Sequence, residues 1–466
     1  MLPNTFPFYI FLGIAVVIYY SLPHGWRNPF LLLASLFFYG TWDWRFLAIL
    51  LWQIFLCYTL GLTIGKTTSI QSRKRLLCIG VILAFCSLCF FKYFNFLNDS
   101  VRHLCQSLGL TYIIPHLNIL LPLGISFFTF QSFGYVLDVY WNKIQPEKDF
   151  LRFSLFIAFF PQIAAGPIGR ASELLPQFHS KRIFSPDAFE EGLGQLLWGI
   201  FKKCVIADRL AEYVDAVYAN PSFFGSSTLL LAAVFFSIQI YSDFSGYSDI
   251  ALGTARLFGI DLRKNFDYPY FATGVREFWK RWHISLTSWF RDYLYIPLGG
   301  NRCSALRQRF NVMTVFLASG LWHGANWTFV VWGGMHGVLQ LLETRLIGKR
   351  SLSNASFTAK VLAATITFFL VTLAWVFFRA PDFKTAFFFL RRLFVWQGSF
   401  SAGVSMNTFI INLALLMLFL AWEIWDVFHK HIKSSSIWQR SVRYAFLLSL
   451  ISMFGKISAG FIYQQF

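Results

Sequence analysis

The sequence predicts an all-α, polytopic membrane protein, and three observations support this fold class. Of its 466 residues, 56% are hydrophobic and only 13% are charged, whereas soluble domains carry about 25% charged residues. Apolar runs recur along the whole chain, and basic residues concentrate in the short segments between them. Because no water reaches the hydrocarbon core, an apolar segment that crosses it satisfies its backbone polar groups within a helix.

Twelve apolar runs are candidates for these helices. A helix needs about 20 apolar residues to cross the bilayer, and several of the runs are shorter. We therefore predict roughly ten to twelve transmembrane helices, with some broken, re-entrant or interfacial helices, in one polytopic domain over residues 1–466. The runs comprise residues 7–22, 29–39, 46–64, 76–90, 119–139, 151–168, 192–206, 227–241, 312–331, 361–378, 409–425 and 444–454.

The formal net charge is +18, which in a soluble protein would indicate a nucleic-acid partner. Here the basic residues lie in short loops such as residues 66–75, and this distribution is typical of cytoplasmic loops in membrane proteins. We therefore predict no nucleic-acid partner and a membrane-lipid environment. The first apolar run lacks a basic leader and a small-residue cleavage site, which favours a retained helix over a signal peptide.

The longest polar interruption covers residues 261–309 and contains nine Lys or Arg against four Asp or Glu. This balance predicts a cytoplasmic location. Within residues 277–286, aromatic and charged side chains recur at helical spacing, with Trp279 and His283 one turn apart. The pattern predicts an amphipathic helix at the membrane interface, and composition alone favours an aromatic-belt helix held by anionic lipid over a reactive site.

His323 lies in a stretch, residues 310–342, that contains no Asp, Glu, Lys or Arg. An ionisable side chain in such surroundings usually faces a cavity lined by protein. Imidazole can remain neutral there and still exchange protons near pH 7. The sequence therefore predicts that His323 is a buried, reactive base.

Asp243 and Asp249 end the uncharged run over residues 217–242. Six residues apart, they point to different faces of a helix, which favours structural bridging over a paired-carboxylate site. The phosphate-binding loop, the Gly-x-Ser-x-Gly elbow and the His-Glu-x-x-His zinc motif are absent, so we predict neither nucleotide hydrolysis nor a metal site. Two classes remain: an acyltransferase in which His323 takes a hydroxyl proton, or a proton-coupled transporter.

Five strings in the chain resemble, in order, the signatures of the membrane-bound O-acyltransferase family. The resemblance is closest to its bacterial alginate O-acetyltransferase branch, and it extends over about half of the chain. Residues 297–302 look like this branch rather than the related D-alanyl transfer proteins of teichoic acid. The strings are residues 121–132, 160–168, 243–249, 278–302 and 320–324.

The resemblance implies a tunnel through the membrane, with the catalytic core between residues 119 and 342. It implies that His323 is the essential catalytic histidine and that His283 is the second active-site histidine. Other residues in or beside the matching strings are expected to contact substrate: Trp322, Asp243, Ser245, Lys280, Arg281, Arg291 and Asn301.

The resemblance further implies transfer of acetyl from cytoplasmic acetyl-CoA, with no bound cofactor, to an extracytoplasmic acceptor. The expected outcome is O-acetylation of a polysaccharide such as alginate, peptidoglycan or lipopolysaccharide. An extracytoplasmic hydrolase-like acetyltransferase is the expected partner, and the bacterial cytoplasmic (inner) membrane is the expected location. D-alanyl transfer to teichoic acid is the alternative donor chemistry. A transporter would be expected to show repeated broken helices in two halves, and none is visible in the sequence.

Overall fold

The computed structural model describes residues 1, 3–346, 348, 355–401, 403–429, 436–456 and 460–462. These residues form helices joined by loops and contain no β-strand, which confirms the predicted all-α class. Side-chain caps start several helices where the chain leaves a polar segment. Ser304, for example, accepts a hydrogen bond from Arg307 N at 3.4 Å at the start of the helix that ends at His323.

Twenty α-helices occur in the described part of the chain, together with shorter turns. They are α1 (Phe6–Ser21), α2 (His24–Gly40), α3 (Leu47–Lys66), α4 (Ile70–Leu88), α5 (Phe94–Ser107), α6 (Ile125–Tyr140), α7 (Phe150–Ala158), α8 (Phe160–Ile163), α9 (Ala171–His179), α10 (Pro186–Ile200), α11 (Asp208–Ala219), α12 (Ser226–Leu257), α13 (Val275–Arg281), α14 (Ile284–Phe290), α15 (Ala305–His323), α16 (Trp327–Leu346), α17 (Phe357–Arg379), α18 (Phe383–Phe394), α19 (Met406–His429) and α20 (Ile437–Phe454). Three π-helical turns lie at Cys89–Tyr93, Phe201–Ala207 and Arg291–Tyr295, and 3-10 turns lie at Trp44–Phe46, Pro221–Phe223 and Pro269–Phe271.

Five helical segments in the described residues are long and apolar enough to cross a membrane: Trp44–Lys66, Ile70–Ser107, Ser226–Leu257, Phe357–Arg379 and Met406–His429. The apolar helix Phe6–Ser21 is shorter. These segments agree with a multi-pass membrane protein. The count of ten to twelve crossings stays a prediction, because several predicted runs form helices below this length.

The chain divides into two compact units, of which the first comprises Met1–Glu190 and Thr254–Arg263. Its core contains a chain of phenylalanine rings whose successive centroids are 5.8 Å apart: Phe8, Phe38, Phe160 and Phe258. Aromatic rings at this separation pack favourably edge to face. The two units contain different motifs, so the single-domain description and the catalytic core over residues 119–342 stay predictions.

The first two family-like strings pack against each other within this unit. Gly124 has a left-handed backbone (φ 68°), and a Cβ atom there would fall on the carbonyl oxygen of Ile163. Only glycine meets both demands without strain. Gln131 and Gln162 each donate a side-chain hydrogen bond to the carbonyl oxygen of Phe156, at 2.5 Å and 2.9 Å. These strings therefore have a clear structural role.

The second unit comprises Glu191–Gly253 and Lys264–Phe466. In it, α15 and α16 approach so closely that their contact positions have room only for glycine. A Cβ atom at Gly320 would fall on the carbonyl oxygen of Phe329, and one at Gly333 on that of Phe316. The helix containing His323 is thus held firmly against its neighbour.

The segment over residues 277–286 is not one continuous interfacial helix, and this prediction is wrong. α13 ends before His283 and α14 begins after it, because His283 has a left-handed backbone (φ 44°, ψ 53°). The break has a tertiary cause: Ile284 N donates to the carbonyl oxygen of Asn265 at 2.9 Å. The large rings of the segment face the protein interior, and they are Phe278, Trp279 and Trp282.

The contact between α15 and α16 predicts opposite effects for two adjacent substitutions. Gly333→Ala places a methyl group on a backbone carbonyl and is expected to destabilise the protein by about 1–3 kcal/mol. Gly334→Ala meets only the Leu317 side chain, at 3.4 Å, and gains up to about 1 kcal/mol of helix preference. Melting temperatures of the two variants in detergent provide the test. Equal melting temperatures would contradict the proposed backbone contact.

Candidate active site

His323 is the last residue of α15, and the helix ends there because Gly324 has an extended backbone (φ −156°, ψ 144°). The next helix starts within four residues, and Asn326 caps it by accepting a hydrogen bond from Thr328 N at 3.0 Å. The predicted apolar run over residues 312–331 is therefore broken directly after the histidine. Broken helices at membrane depth usually border a cavity lined by protein.

The ring of His323 is enclosed by aromatic side chains and is 2% exposed. Its centroid lies 5.0 Å from those of Trp322 and Trp332 and 5.7 Å from that of Phe378. Aromatic walls of this kind exclude bulk water from a reaction centre. A reactive acyl group held beside His323 would be protected from hydrolysis.

His283 lies next to His323, and their ring centroids are 6.2 Å apart. The structure thus brings together the two histidines that the sequence singled out, although they are 40 residues apart in the chain. His283 is fully buried. Burial lowers the pKa of its imidazole to about 3, so the ring is neutral at physiological pH.

Asn265 holds His283 in place. Its side-chain oxygen lies 3.2 Å from Nδ1 of His283, and it also accepts hydrogen bonds from Ser285 N at 3.1 Å and Ser285 Oγ at 2.9 Å. A left-handed backbone at a non-glycine residue costs on the order of 1–3 kcal/mol, and such strain persists only where surrounding contacts impose it. These hydrogen bonds are the contacts that impose it at His283.

A cavity of about 230 Å³ adjoins Asn265 in the second unit. It is smaller than most ligand pockets, which span about 300–1,000 Å³. Its wall combines aromatic rings with charged side chains, and the charged ones are Lys202, Asp249, Lys264, Glu423 and Asp426. Tyr241 donates a hydrogen bond to Glu423 at 2.9 Å. The cavity is therefore a polar compartment next to the histidine pair.

Two adjacent lysines on the π-helical turn Phe201–Ala207 point to different sites. Lys202 pairs with Asp249 and donates to Ser245 Oγ at 3.0 Å, and all three line the cavity. Of the predicted substrate-contacting residues, Ser245 is thus the one placed at the cavity wall.

Lys203 faces a separate, buried ion-pair network. Its Nζ lies 2.5 Å from Asp243 Oδ1 and 2.8 Å from Asp208 Oδ1. Asp243 is 2% exposed, and its other oxygen accepts from Ile462 N at 2.9 Å. This arrangement agrees with the structural bridging expected from the spacing of Asp243 and Asp249. A substrate contact for Asp243 stays a prediction.

The remaining predicted site residues lie outside the cavity wall. Trp322 is buried beside both histidines, with its ring centroid 5.9 Å from that of His283. Arg281 pairs with Glu277 at 2.5 Å. The exposed residues are Lys280, Arg291 and Asn301. Their substrate-binding roles stay predictions.

Sequence reasoning missed several residues that the structure places at or near the site. Lys202, Lys203 and Glu423 carried a usable signal, because each interrupts an apolar run, and an intramembrane charge usually marks a functional site. His336 shared the uncharged stretch with His323, and its Nδ1 accepts a hydrogen bond from Trp279 Nε1 at 3.3 Å. No sequence feature singled out Asn265, because a polar residue does not stand out within the long polar segment.

Comparisons with known proteins agree with the motif resemblance. Residues 76–380 match the sequence model of the membrane-bound O-acyltransferase family, MBOAT. The chain is 37% identical over 429 residues to the probable alginate O-acetylase AlgI of Azotobacter vinelandii, covering 91% of this chain and 84% of that protein. It is 37% identical over 420 residues to the peptidoglycan O-acetyltransferase of Helicobacter pylori, covering 83% of this chain and 78% of that protein.

A more distant similarity connects the chain to D-alanyl transfer. The teichoic acid D-alanyltransferase of Bacillus subtilis is 26% identical over 286 residues, covering 58% of this chain and 71% of that protein. The acetyltransferase relatives are thus more similar and cover more of the chain. The family match also favours an acyltransferase over a proton-coupled transporter.

The network around Lys203 predicts a large effect on stability. Lys203→Met removes the cation that two buried carboxylates share, and breaking a buried ion pair costs about 3–5 kcal/mol. Arg256→Met is the control, because Arg256 pairs with the exposed Asp261 at 3.5 Å, and exposed pairs contribute about 0–1 kcal/mol. Thermal unfolding in detergent compares the two. Similar melting temperatures would show that the buried network contributes little.

Proposed function

Because the chain belongs to the membrane-bound O-acyltransferase family, we propose that it transfers acetyl from acetyl-CoA across the membrane for polysaccharide O-acetylation. The pair of buried histidines, 6.2 Å apart between ring centroids, is the observation that carries this proposal. It places two imidazoles in a water-poor enclosure at the end of a broken helix. Acyl transfer needs a base, and it needs water kept away from the acyl group.

The proposed reaction exchanges a thioester for an ester. His323 takes the proton of the acceptor hydroxyl while the hydroxyl oxygen attacks the thioester carbonyl carbon. The tetrahedral intermediate then expels the CoA thiolate, and the proton on His323 passes to that sulfur. The C–S bond breaks, a C–O bond forms, and no net proton is consumed. Hydrogen-bond donors near the carbonyl oxygen would stabilise its developing negative charge.

The donor is proposed to approach from the cytoplasmic side. The basic segment over residues 261–309 supports this side, because loops rich in Lys and Arg remain in the cytoplasm. Lys280 and Arg291 are exposed on this segment, and lysine and arginine bind phosphate groups through charge-assisted hydrogen bonds. We assign them to the CoA phosphates.

The acceptor is proposed to lie on the opposite side of the bacterial inner membrane. The names of the two acetyltransferase relatives, which refer to alginate and peptidoglycan, support a polysaccharide as the final acceptor. We propose that an extracytoplasmic hydrolase-like acetyltransferase receives the acetyl group and passes it to the polymer. This protein would then carry out the transfer of the acetyl group across the membrane.

Replacing the proposed base tests the mechanism. General-base catalysis typically contributes about 10²- to 10⁴-fold, so His323→Ala is expected to lower acetyl transfer by that factor in membrane vesicles that contain the partner. His116→Ala is the control, because His116 is an exposed histidine that pairs with Asp99 at 3.6 Å. Undiminished transfer by folded His323→Ala protein would overturn the assignment of the base.

The choice of donor is tested with labelled substrates. Vesicles are supplied with labelled acetyl-CoA or with a labelled D-alanyl thioester, and label on the extracytoplasmic partner or polymer is measured. Label is expected from acetyl-CoA. Transfer from the D-alanyl donor alone would contradict the acetyl assignment and support the teichoic-acid chemistry of the more distant relative.

A further inference from the structure

We infer that Asn265 is a positioning residue that holds His283 in the tautomer with hydrogen on Nδ1, leaving Nε2 to accept hydrogen bonds at the reaction centre. The inference rests on the proposed function, because it assigns His283 to the acyl-transfer site. It concerns a residue that lies outside the family-like strings.

The hydrogen-bond pattern determines the orientation of the Asn265 amide. Its Oδ1 position receives Ser285 N at 3.1 Å. A backbone N–H can only donate, so the atom it meets is the amide oxygen rather than the amide nitrogen. Nδ1 of His283 lies 3.2 Å from the same oxygen. An amide oxygen only accepts, so Nδ1 of His283 carries a hydrogen.

Asn265 is held from several directions and is 1% exposed. Its Nδ2 donates to Ser248 Oγ at 3.3 Å, and its backbone oxygen accepts from Ile284 N at 2.9 Å. The second bond fixes the residue that follows His283. One asparagine therefore sets both the left-handed backbone of His283 and the orientation of its ring.

The chemical consequence follows from the neutral imidazole. With hydrogen on Nδ1, the other nitrogen has a lone pair and acts as an acceptor. Nε2 of His283 can then accept a hydrogen bond from a substrate donor other than the hydroxyl whose proton His323 takes. An amide suits this task better than a carboxylate, because a carboxylate beside Nδ1 would favour the charged imidazolium.

Asn265 also connects His283 to the cavity. Ser248 and Asn265 both line the cavity wall, so a substrate group that enters the cavity meets the side chain that orients the histidine. The hydrogen bonds from Ser248 to Asn265 and from Asn265 to His283 join neutral side chains.

The ionisable groups on the elements around His283 are mostly neutralised in pairs. The exposed Lys280, the neighbouring His323, His336 and the pair Arg291 with Asp292 also belong to these groups. The pairs are Lys203 with Asp243, Lys202 with Asp249, Lys264 with Asp267, and Arg281 with Glu277. A new charge at position 265 would therefore act on His283 with little competition from other charges.

Asn265→Asp is the sharpest test, because it changes charge while keeping shape. Aspartate can accept the same three hydrogen bonds, and the Ser248 hydroxyl can rotate to donate to its second oxygen. A nearby opposite charge shifts a pKa by about 1–3 units. Because His283 must be neutral to accept a hydrogen bond, its contribution to the acidic limb of the kcat/KM profile is expected to move up by about 1–3 pH units, with near wild-type activity at high pH.

Asn265→Ala removes the acceptor and is expected to lower kcat about 100-fold at every pH, since misplacement of a catalytic group by about 1 Å has an effect of this size. Asn412→Asp is the matched control, because Asn412 is also buried and contacts Arg209 at 3.3 Å. It makes the same chemical change without touching a histidine. Its pH profile is expected to match that of the wild type.

Hydrogen–deuterium exchange at the imidazole carbon of His283, followed by mass spectrometry, gives a readout that needs no activity. The pKa of His283 is expected to rise in Asn265→Asp and to stay unchanged in Asn412→Asp. An unchanged pKa and pH profile in Asn265→Asp would overturn the inference. Absence of acetyl transfer in the wild type would instead overturn the proposed function, and the exchange measurement would still test the contact between Asn265 and His283.

Discussion

The burial of two imidazoles side by side is the constraint on which the rest of the second unit depends. A buried polar ring needs hydrogen-bond partners, and its neutral form must remain favourable. Asn265 meets the first need at His283. Burial among aromatic side chains meets the second, because it disfavours the charged form of the ring. The helix end at His323 and the strained backbone at His283 are the structural costs of placing both rings within 6.2 Å.

Charge in the second unit is organised around the same centre. Two consecutive lysines face different partners, so that one joins the cavity and the other joins a buried network. Lys202 pairs with Asp249 at the cavity, and Asp208 and Asp243 share Lys203 in the network. The interior therefore contains polar compartments that are separated from the histidines by Asn265 and by aromatic rings. This separation leaves mainly aromatic side chains around the two histidines, while the polar cavity lies beyond Asn265.

The sequence predicted the helical class, the burial of His323 and the family, because hydropathy and short motifs are local properties of a chain. It did not predict the break at His283, because helical periodicity contains no information about the tertiary hydrogen bond between Ile284 and Asn265. The cavity could not be predicted from the sequence either, since its wall combines segments near residues 200, 245, 265 and 425. Lone charges in apolar runs, such as Glu423, were the available hint.

The left-handed backbone at His283 has an evolutionary consequence. Apart from glycine, asparagine, aspartate and histidine are the residues that adopt this conformation most readily. The codons for asparagine and aspartate each differ from those for histidine by a single nucleotide. Asparagine and aspartate are therefore single-nucleotide replacements that keep the backbone conformation, so the local fold would survive a change that alters the acceptor chemistry.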